Sequence, residues 1–456
     1  MKRFLQRFQK HKLGMAALFV ILLFFLVGTY APFFASSKPF FVVYDGTFYF
    51  PLFRYLLYQG FYSKSIDLFF NLLMFTLPLI LLLPGRFKWA AVSVQVVAFT
   101  YFSLVPIKDP AAGSSPIGSV PDWEMEMAGT SSYRRLNLVL QYIRNKQQHE
   151  RLKGFSEDAP ILWNLQVKID ERQQKLYESE SDPYADAKII YNKQRRAWFE
   201  NESKKVSFLL MPLIRDFHWE EDAGGDQQFN RKAPFFELTR TNRKDFVSSL
   251  LFGIRISLVV GVLSSIVALA IGIPIGAFAG YFGGRVDIVV CRLLEIWESM
   301  PTFFMLLLIV AMTESKSIFL VIGVVGIFGW TGISRYVRAE FFKQRNLPYV
   351  EALRAAGFGQ GHIMFSEILP NALPPVFTLL PFAIMGAIST EAGLSFLGLG
   401  EEGSSSWGVL MDEGRGAFPA ESYLLWPPAL MLTIFLVAIA LAGDALRDVL
   451  DPRASS

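Results

Sequence analysis

Long apolar runs are the feature of this sequence that most restricts its fold. Seven or eight of them approach the roughly 20 helical residues needed to cross about 30 Å of hydrocarbon. Hydrophobic residues make up 52% of the 456 residues and charged residues only 18%, whereas soluble domains are about a quarter charged. The chain is therefore predicted to be an all-α membrane protein. The predicted spans are Leu13–Tyr30, Ile66–Leu83, Trp89–Val105, Ile256–Phe278, Val286–Met312, Ile318–Ile333, Leu373–Leu397 and Tyr423–Leu441.

Basic residues predict the orientation of these spans. The twelve residues before the first span carry five basic side chains and no acidic one, which places the N terminus in the cytoplasm. No convincing small-residue cleavage site follows, so an uncleaved span is preferred over a signal peptide. Alternation of eight spans then puts the basic loop 334–363 inside and returns the C terminus to the cytoplasm. These basic residues are Lys2, Arg3, Arg7, Lys10 and Lys12.

The distribution of charge divides the chain into zones. The stretch 107–245 holds about half of the charged residues, with both signs balanced and no run of membrane length. Charged residues are interleaved with Leu, Ile and Trp in Leu136–Lys153 and Asp158–Glu178, as expected for solvated helices that pack one face. This stretch is predicted to be a helical external insert. The zones are 1–35, the cytoplasmic N terminus and first span; 36–65, an external segment; 66–106, a transmembrane hairpin; 107–245, the insert; and 246–456, the membrane core.

Motifs for enzymatic chemistry are absent from the sequence. None of the four histidines lies in a His-x-x-x-His pattern, and Cys291 is the only cysteine, so no metal site is predicted. His218–Asp222 is interpreted as an exposed acidic stretch rather than a metal or acid–base cluster. Neither a P-loop nor a Gly-x-Ser-x-Gly motif occurs. No catalytic residue and no cofactor are therefore expected in this chain, and the net charge of +4 gives no footprint for nucleic acid.

The cytoplasmic segment 334–371 contains a helix-and-turn pattern. Residues Tyr349–Ala356 are predicted to form a short helix that ends at Gly357, and a second helix is expected to end near Pro370. Glu351 suits the positive end of the first helix dipole. Small side chains there would let another protein approach the backbone closely, although an ordinary intracellular turn fits the bare pattern equally well. These small residues are Ala352, Ala355 and Ala356.

This segment resembles the EAA loop of ABC-transporter permeases, and the chain from Asp245 to Arg453 resembles their dipeptide/oligopeptide/nickel class. Further stretches in family order are Phe252–Leu258, Ala279–Asp287, Glu391–Gly400, Ser406-Trp-Gly408 and Gly443–Arg453. Within the class, Lys38–Leu52, Leu294–Thr302 and Val337–Phe341 resemble the Yej-type peptide permeases.

The resemblance implies a six-span type I importer core in a bacterial inner membrane. The hairpin Ile66–Val105 is additional to that core, and its two crossings preserve the sidedness of everything after it. Residues Leu238–Asp245 depart from the stretch that the family shows before its second span. Asp109–Asn201 matches no known pattern.

The resemblance also implies partners. They are a second homologous permease, two ATP-binding subunits that hold ATP and magnesium, an external substrate-binding protein and the surrounding lipid. Together they would import oligopeptides or peptide-like compounds. An alternative is a membrane scaffold whose external insert binds a partner without transport. The resemblance assigns coupling to the ATP-binding subunits to Tyr349, Val350, Glu351, Ala352, Ala355, Ala356 and Gly357.

Several residues inside the spans are candidates for the translocation pathway. Glu391, followed by Ser395, is an ionisable group in a membrane span, where charge is costly and commonly functional. A structural hydrogen bond is an equally weighted explanation for Glu391. Met300 and Pro301 are expected to kink the fifth span.

Two local patterns predict packing within the membrane core. Arg292 lies one turn before Glu295, which favours a local ion pair. Three glycines recur every fourth residue, a spacing that permits close helix contact. The contact could lie inside the chain or at a seam with a second permease. The glycines are Gly272, Gly276 and Gly280.

Overall fold

The structure is a computed structural model. It describes residues 8–36, 40–44, 46–50, 52–53, 56–57, 64–105, 206–210, 212–214, 240–241, 244–300, 302–313, 317–401, 404–416 and 424–450. The predictions for Asp109–Asn201, His218–Asp222 and Pro301 lie outside the described residues.

Helices form most of the described chain. The first are α1 (Lys12–Thr29), α2 (Ala31–Phe34), α3 (Ser65–Leu82), α4 (Arg86–Leu104), α5 (Phe246–Phe282), α6 (Gly284–Ser299), α7 (Thr302–Met312) and α8 (Ile318–Phe328). They are followed by α9 (Trp330–Gln344), α10 (Pro348–Ala355), α11 (Gln360–His362), α12 (Leu369–Phe377), α13 (Leu380–Leu394), α14 (Trp407–Gly416) and α15 (Trp426–Leu450). The strands are β1 (Phe41–Tyr44), β2 (Thr47–Tyr49), β3 (Val206–Leu210), β4 (Arg240–Thr241) and β5 (Lys244–Asp245).

The helices account for the predicted spans. Among the described residues, seven helical segments are long and apolar enough to cross a membrane, and the bent pair α6–α7 would be an eighth. Each predicted span overlaps one of these segments. The sidedness of the spans stays a prediction, because no membrane accompanies the chain.

The chain divides into two compact units, Met1–Val27 with Gly253–Ser456 and Gly28–Phe252. In the first unit, α1 runs antiparallel to α15. The Phe24 and Phe435 rings stack with centroids 5.0 Å apart, and His11 Nε2 lies 3.5 Å from Asp448 Oδ2. The start of α1 and the end of α15 therefore lie at the same end of this unit.

Glycines allow α5 and α9 to touch at their backbones. A Cβ atom at Gly276 would lie 2.4 Å from the Ser334 carbonyl oxygen, and one at Gly272 would lie 2.7 Å from that of Trp330. At Gly280 the nearest atom is the Phe341 Cβ, at 2.5 Å. The glycine repeat predicted from the sequence is thus used for packing inside the chain.

The fifth predicted span is broken. Its two halves, α6 and α7, make an angle of 72°, and Met300 is extended at the end of α6. The predicted ion pair is present, because Arg292 Nη1 lies 2.5 Å from Glu295 Oε2. Glu298 pairs instead with Arg335 on α9, a contact between helices that the local pattern does not reveal.

The second unit combines a hairpin of apolar helices with a small sheet. Helices α3 and α4 are joined by Gln95, whose Oε1 accepts from Thr76 Oγ1 at 2.7 Å and whose Nε2 donates to the Phe69 carbonyl at 2.9 Å. The sheet has the antiparallel order β2-β1-β3. Strand β3 belongs to the stretch predicted as a helical insert, so the described part of that stretch departs from the prediction.

The helix predicted to end near Pro370 continues through it. Residues Ile363–Ile368 form a π-helical segment between α11 and α12, in which the Leu369 N–H donates to the Met364 carbonyl five residues earlier. Proline normally clashes with the carbonyl four residues before it. The wider turn relieves this clash, and α12 runs on to Phe377.

Replacing Gly276 by alanine should destabilise the chain, although alanine is favoured over glycine by roughly 1 kcal/mol in an unobstructed helix. The added methyl group would meet the Ser334 carbonyl at 2.4 Å, and overpacking of this kind costs about 1–3 kcal/mol. The measurement is the midpoint of thermal unfolding in detergent. Gly323→Ala is the matched control, because no atom lies within 4 Å of its added Cβ. Equal midpoints for the two variants would contradict the close contact.

Candidate coupling site

Helix α10 has sequence signals at both ends. Pro348 occupies its first turn, where a missing N–H costs nothing, and Glu351 lies near the positive end of the dipole. At the other end the Gly357 N–H donates to the Arg354 carbonyl at 3.0 Å. Gly357 has a φ of +83°, a conformation that strains other residues. The helix bounds, Pro348–Ala355, differ by one residue at each end from those predicted.

One side of α10 is held in the protein core. Val350 is fully buried, and Tyr349 and Leu353 pack against the same cluster. Besides α10, the cluster draws on three parts of the chain: α5, α9 and the segment that follows Gly357. Its buried members are Ala268, Ala277, Tyr281, Ile333, Val337, Phe341, Val350, Ile363, Met364, Ile368, Ala372 and Val376. A displacement of α10 would therefore directly disturb the packing of α5, α9 and α12.

The other side of α10 is exposed and has little side-chain bulk. Of the predicted coupling residues, Glu351, Ala352, Ala355, Ala356 and Gly357 are all exposed. The structure thus separates the predicted set into two anchoring residues, Tyr349 and Val350, and five surface residues. This surface offers close access to the backbone, with the carboxylate of Glu351 at one end.

An aromatic residue adjoins this surface beyond Gly357. Phe358 is exposed and its ring stacks on the imidazole of His362, with centroids 5.2 Å apart and an interplanar angle of 19°. His362 Nε2 lies 3.5 Å from Glu367 Oε1. Phe358 was not among the predicted site residues. Its position directly after the helix-ending glycine is the signal that could have indicated it.

Tyr349 fixes the start of α10. Its hydroxyl donates to Gln344 Oε1 at 3.1 Å. Burial raises the pKa of the Tyr349 hydroxyl, and a hydrogen bond with Asn371 partly offsets that rise. The phenol therefore remains a neutral hydrogen-bonding group at physiological pH and joins α9 to α10.

Two arginines, one on α9 and one directly after it, bind groups on the neighbouring helices. Arg345 Nη1 donates to the Gly280 and Tyr281 carbonyls at 3.1 and 3.2 Å. Arg338 pairs with Asp287 on α6, including a 2.8 Å bond from Nη2 to Oδ2. The Arg338 and Arg345 guanidinium groups lie over the Phe342 ring, 4.9 and 4.4 Å from its centroid. These groups tie α9 to the end of α5 and the start of α6.

The pairing of Arg338 with Asp287 was not predicted. Two signals in the sequence bear on it: Arg338 and Arg345 are seven residues apart and so share a helix face, and Asp287 belongs to the stretch Ala279–Asp287. Neither signal identifies the partner, because the two residues of the pair lie on different helices.

Glu391 lies in a second polar cluster. It is only 1% exposed, and its Oε1 accepts from Ser395 Oγ at 2.7 Å and from Ser406 Oγ at 2.6 Å. Ser406 Oγ in turn accepts from the Gly408 N–H at 3.2 Å. The bonds connect α13 to the start of α14, beside the π-helical segment Ser395–Leu399. The hydrogen bonds from Ser395 and Ser406 are the contacts that a structural role of Glu391 would require.

The assignment of Glu391 and Ser395 to the translocation pathway stays a prediction, as does that of Met300. Met300 is half-buried and belongs to a different element, the end of α6. Within the described residues, no group of three or more His, Cys, Asp or Glu side chains could hold a metal ion.

Two family models match the chain. One, described as the binding-protein-dependent transport system inner membrane component, matches residues 272–456. The other, the N-terminal TM domain of oligopeptide transport permease C, matches residues 1–51. The oligopeptide transport system permease protein OppC of Haemophilus influenzae is 31% identical over 284 residues, covering 59% of this chain and 90% of that protein. The chain therefore belongs to the family of binding-protein-dependent permeases, the inner-membrane components of ABC transporters.

Similarity extends to the Yej-type permeases. The peptidoglycan transport system permease protein YejE of Agrobacterium fabrum is 38% identical over 216 residues, covering 47% of this chain and 56% of that protein. The inner membrane ABC transporter permease protein YejE of Escherichia coli is 36% identical over 221 residues, covering 47% of this chain and 62% of that protein. The chain thus spans less than two thirds of the length of these two relatives.

Solved structures of the MetNI methionine ABC transporter in inward-facing conformations are also similar. One has a TM-score of 0.37 at 20% identity, covering 44% of this chain and 97% of that chain.

Substitutions of Glu391 should separate its two explanations. Glu391→Ala leaves the Ser395 and Ser406 hydroxyls without their acceptor in a buried site, which should cost roughly 1–3 kcal/mol of stability. Glu391→Gln keeps an oxygen acceptor and should stay close to wild type in its thermal unfolding midpoint and in transport. If Glu391→Gln instead abolished transport at an unchanged midpoint, the negative charge would be acting in the pathway.

Proposed function

We propose that the chain is a permease subunit of an ATP-driven importer of oligopeptides or peptide-like compounds. Membership of the permease family supports the transport role. The names of the relatives, which include oligopeptide and peptidoglycan transport permeases, support the substrate class. The observation that carries the coupling role is the exposed, small-residue side of α10, which rests on the buried Val350.

The remaining components of the importer belong to other chains. A second homologous permease would complete the pathway, an external binding protein would deliver the substrate, and two cytoplasmic subunits would bind ATP and magnesium. In this arrangement α10 is the surface that an ATP-binding subunit contacts. Its low bulk suits a groove that closes around the helix backbone.

Packing around α10 gives a physical route for coupling. Closure of the ATP-binding subunits on ATP would draw α10 toward the equivalent segment of the second permease. The core cluster around Val350 would then carry α5 and α9 with it. Two ion pairs between α9 and α6, Arg338–Asp287 and Arg335–Glu298, would carry α6 and its bent continuation. The pathway would open outward, and ATP hydrolysis would restore the inward-open state.

A scaffold without transport is the competing proposal. The test is the ATPase activity of a complex purified with this chain. The importer proposal predicts that substrate-loaded binding protein raises this activity. The scaffold proposal predicts no such rise.

Gly357→Pro and Glu351→Arg should abolish peptide uptake while the chain still enters the membrane. Proline fixes φ near −65° and removes the N–H that bonds to Arg354, whereas Gly357 needs a φ of +83°. Arginine at position 351 reverses the charge at the start of the helix. The measurement is uptake of a labelled peptide by proteoliposomes, normalised to the amount of complex.

The matched control is Gly359→Ala. Gly359 is also exposed and close by, but its φ of −65° suits any residue and no atom lies within 4 Å of the added Cβ. Wild-type uptake by Gly357→Pro or Glu351→Arg would show that α10 is not the coupling element.

A cross-linker on α10 should capture an ATP-binding subunit. Because Cys291 is the only cysteine, Cys291→Ser gives a cysteine-free background for Ala355→Cys, which can carry a thiol-reactive benzophenone. Illumination of native membranes should yield an adduct whose peptides include an ATP-binding subunit. Val97→Cys, on the exposed surface of the apolar helix α4, is the control and should yield none. An adduct from both sites, or from the control alone, would contradict the assignment.

A further inference from the structure

One face of the three-stranded sheet is entirely apolar. The strand register places Val43 opposite both Phe48 and Phe208, and Phe41 opposite Leu210, so these side chains share a face. Phe50 joins them, because its ring centroid lies 5.8 Å from that of Phe41. The members of this face, here called the phenylalanine face, are Phe41, Val43, Phe48, Phe50, Phe208 and Leu210.

The phenylalanine face is open to its surroundings. Phe48 is 66% exposed, Phe50 58%, Phe208 51% and Leu210 49%. The rings of Phe48 and Phe208 both contact Phe41, at centroid distances of 5.6 and 5.5 Å. They therefore form a continuous aromatic surface rather than scattered side chains. Contiguous exposed apolar surface on a protein generally marks an interaction site.

Contacts at the base of the sheet place it beside a membrane helix. Phe40, which precedes β1, packs with Tyr30 and Phe33 against a cluster of Leu52, Leu56 and Met74. Met74 is the tenth residue of the 18-residue helix α3. At about 1.5 Å per residue, it lies close to the middle of that helix. The segment that leads into β1 thus packs against a cluster that reaches the middle of α3.

Two further contacts tie the segment after β2 to the same part of α3. The Phe53 ring lies 6.3 Å from that of Phe75 on α3, and both are partly open. Asn71, also on α3, donates from Nδ2 to the Leu56 carbonyl at 2.9 Å. A buried side chain thus satisfies a backbone carbonyl of the non-helical segment. Such satisfaction is required where irregular backbone lies at membrane depth.

We propose that the phenylalanine face is a lipid-binding surface, which inserts into the bilayer leaflet at which α3 begins. Phenylalanine has no polar atom, so a face of four Phe, one Val and one Leu gains nothing from water and suits acyl chains. No strand among the described residues pairs with the outer edges of β2 and β3. This limits the depth, since open sheet edges are not tolerated in the hydrocarbon centre. The sheet would lie at the boundary of headgroups and acyl chains. It would anchor two parts of the chain to the membrane surface: the segment after the first span, and strand β3.

Spin labels on the phenylalanine face test this orientation. Phe208→Cys places a nitroxide on this face, and Ala355→Cys, on the exposed side of α10, is the water-exposed reference. Both are made in the Cys291→Ser background and studied as the full chain in phospholipid vesicles. Power-saturation spectroscopy then compares collisions with oxygen, which concentrates in acyl chains, and with a water-soluble nickel chelate. Val97→Cys on α4 serves as the lipid-exposed reference.

The label at position 208 should collide more with oxygen than with nickel, as at position 97, and the label at 355 should show the reverse. Phe48→Cys, at the most exposed member of the face, should behave like Phe208→Cys and guards against a local disturbance of β3. Nickel access at 208 and 48 as high as at 355 would mean that the face lies in water and would overturn the proposal. Protection of 208 and 48 from both reagents would also overturn it, because the face would then be covered by protein.

Discussion

The contact between α5 and α9 is the interaction on which the rest of the membrane core depends. Gly272, Gly276 and Gly280 bring the two helices together at backbone distance, where any side chain would collide with a carbonyl or a Cβ atom. In lipid, helices gain little from burying apolar surface against each other, so close van der Waals packing between small residues supplies much of their association. The contact also brings the polar ends of both helices into one region.

Several features of the coupling segment follow from this contact. Because Gly280 allows Phe341 to approach, Arg345 can reach the carbonyls of Gly280 and Tyr281. Tyr281 in turn belongs to the cluster that buries Val350, and its ring lies 5.6 Å from the Arg354 guanidinium. The position of α10 therefore depends in part on the packing that holds these two membrane helices together. A change in their spacing would disturb the cluster that buries Val350.

The sequence predicts features that depend on local chemistry. Apolar runs locate the membrane helices, because the hydrocarbon of a bilayer requires apolar side chains. Gly357 marks the end of α10 to within one residue, because its conformation suits few other residues. The glycine repeat indicated close contact but left its partner open. In each case the residues that decide the outcome are neighbours in the chain.

The features that escaped prediction depend on distant residues. Strand β3 pairs with β1 across more than a hundred and sixty residues, and no local pattern in Val206–Leu210 identifies that partner. Glu298 has a suitable cation nearby in sequence but pairs with Arg335 on another helix. Pro370 predicts a helix end, whereas the π-helical turn before it removes the clash. The acceptor role of Glu391 depends on Ser406, which lies in a different element.

Trp407 holds together two parts of the chain that are far apart in the sequence. Its ring meets Phe24, with centroids 6.1 Å apart, and it also packs over Gly253, where an added Cβ would lie 2.7 Å from the ring. The chain thus leaves the first unit after Val27 and returns to it at Gly253 beside the same buried side chain. A small residue at position 407 would therefore leave a cavity that loosens α1 and α5 together.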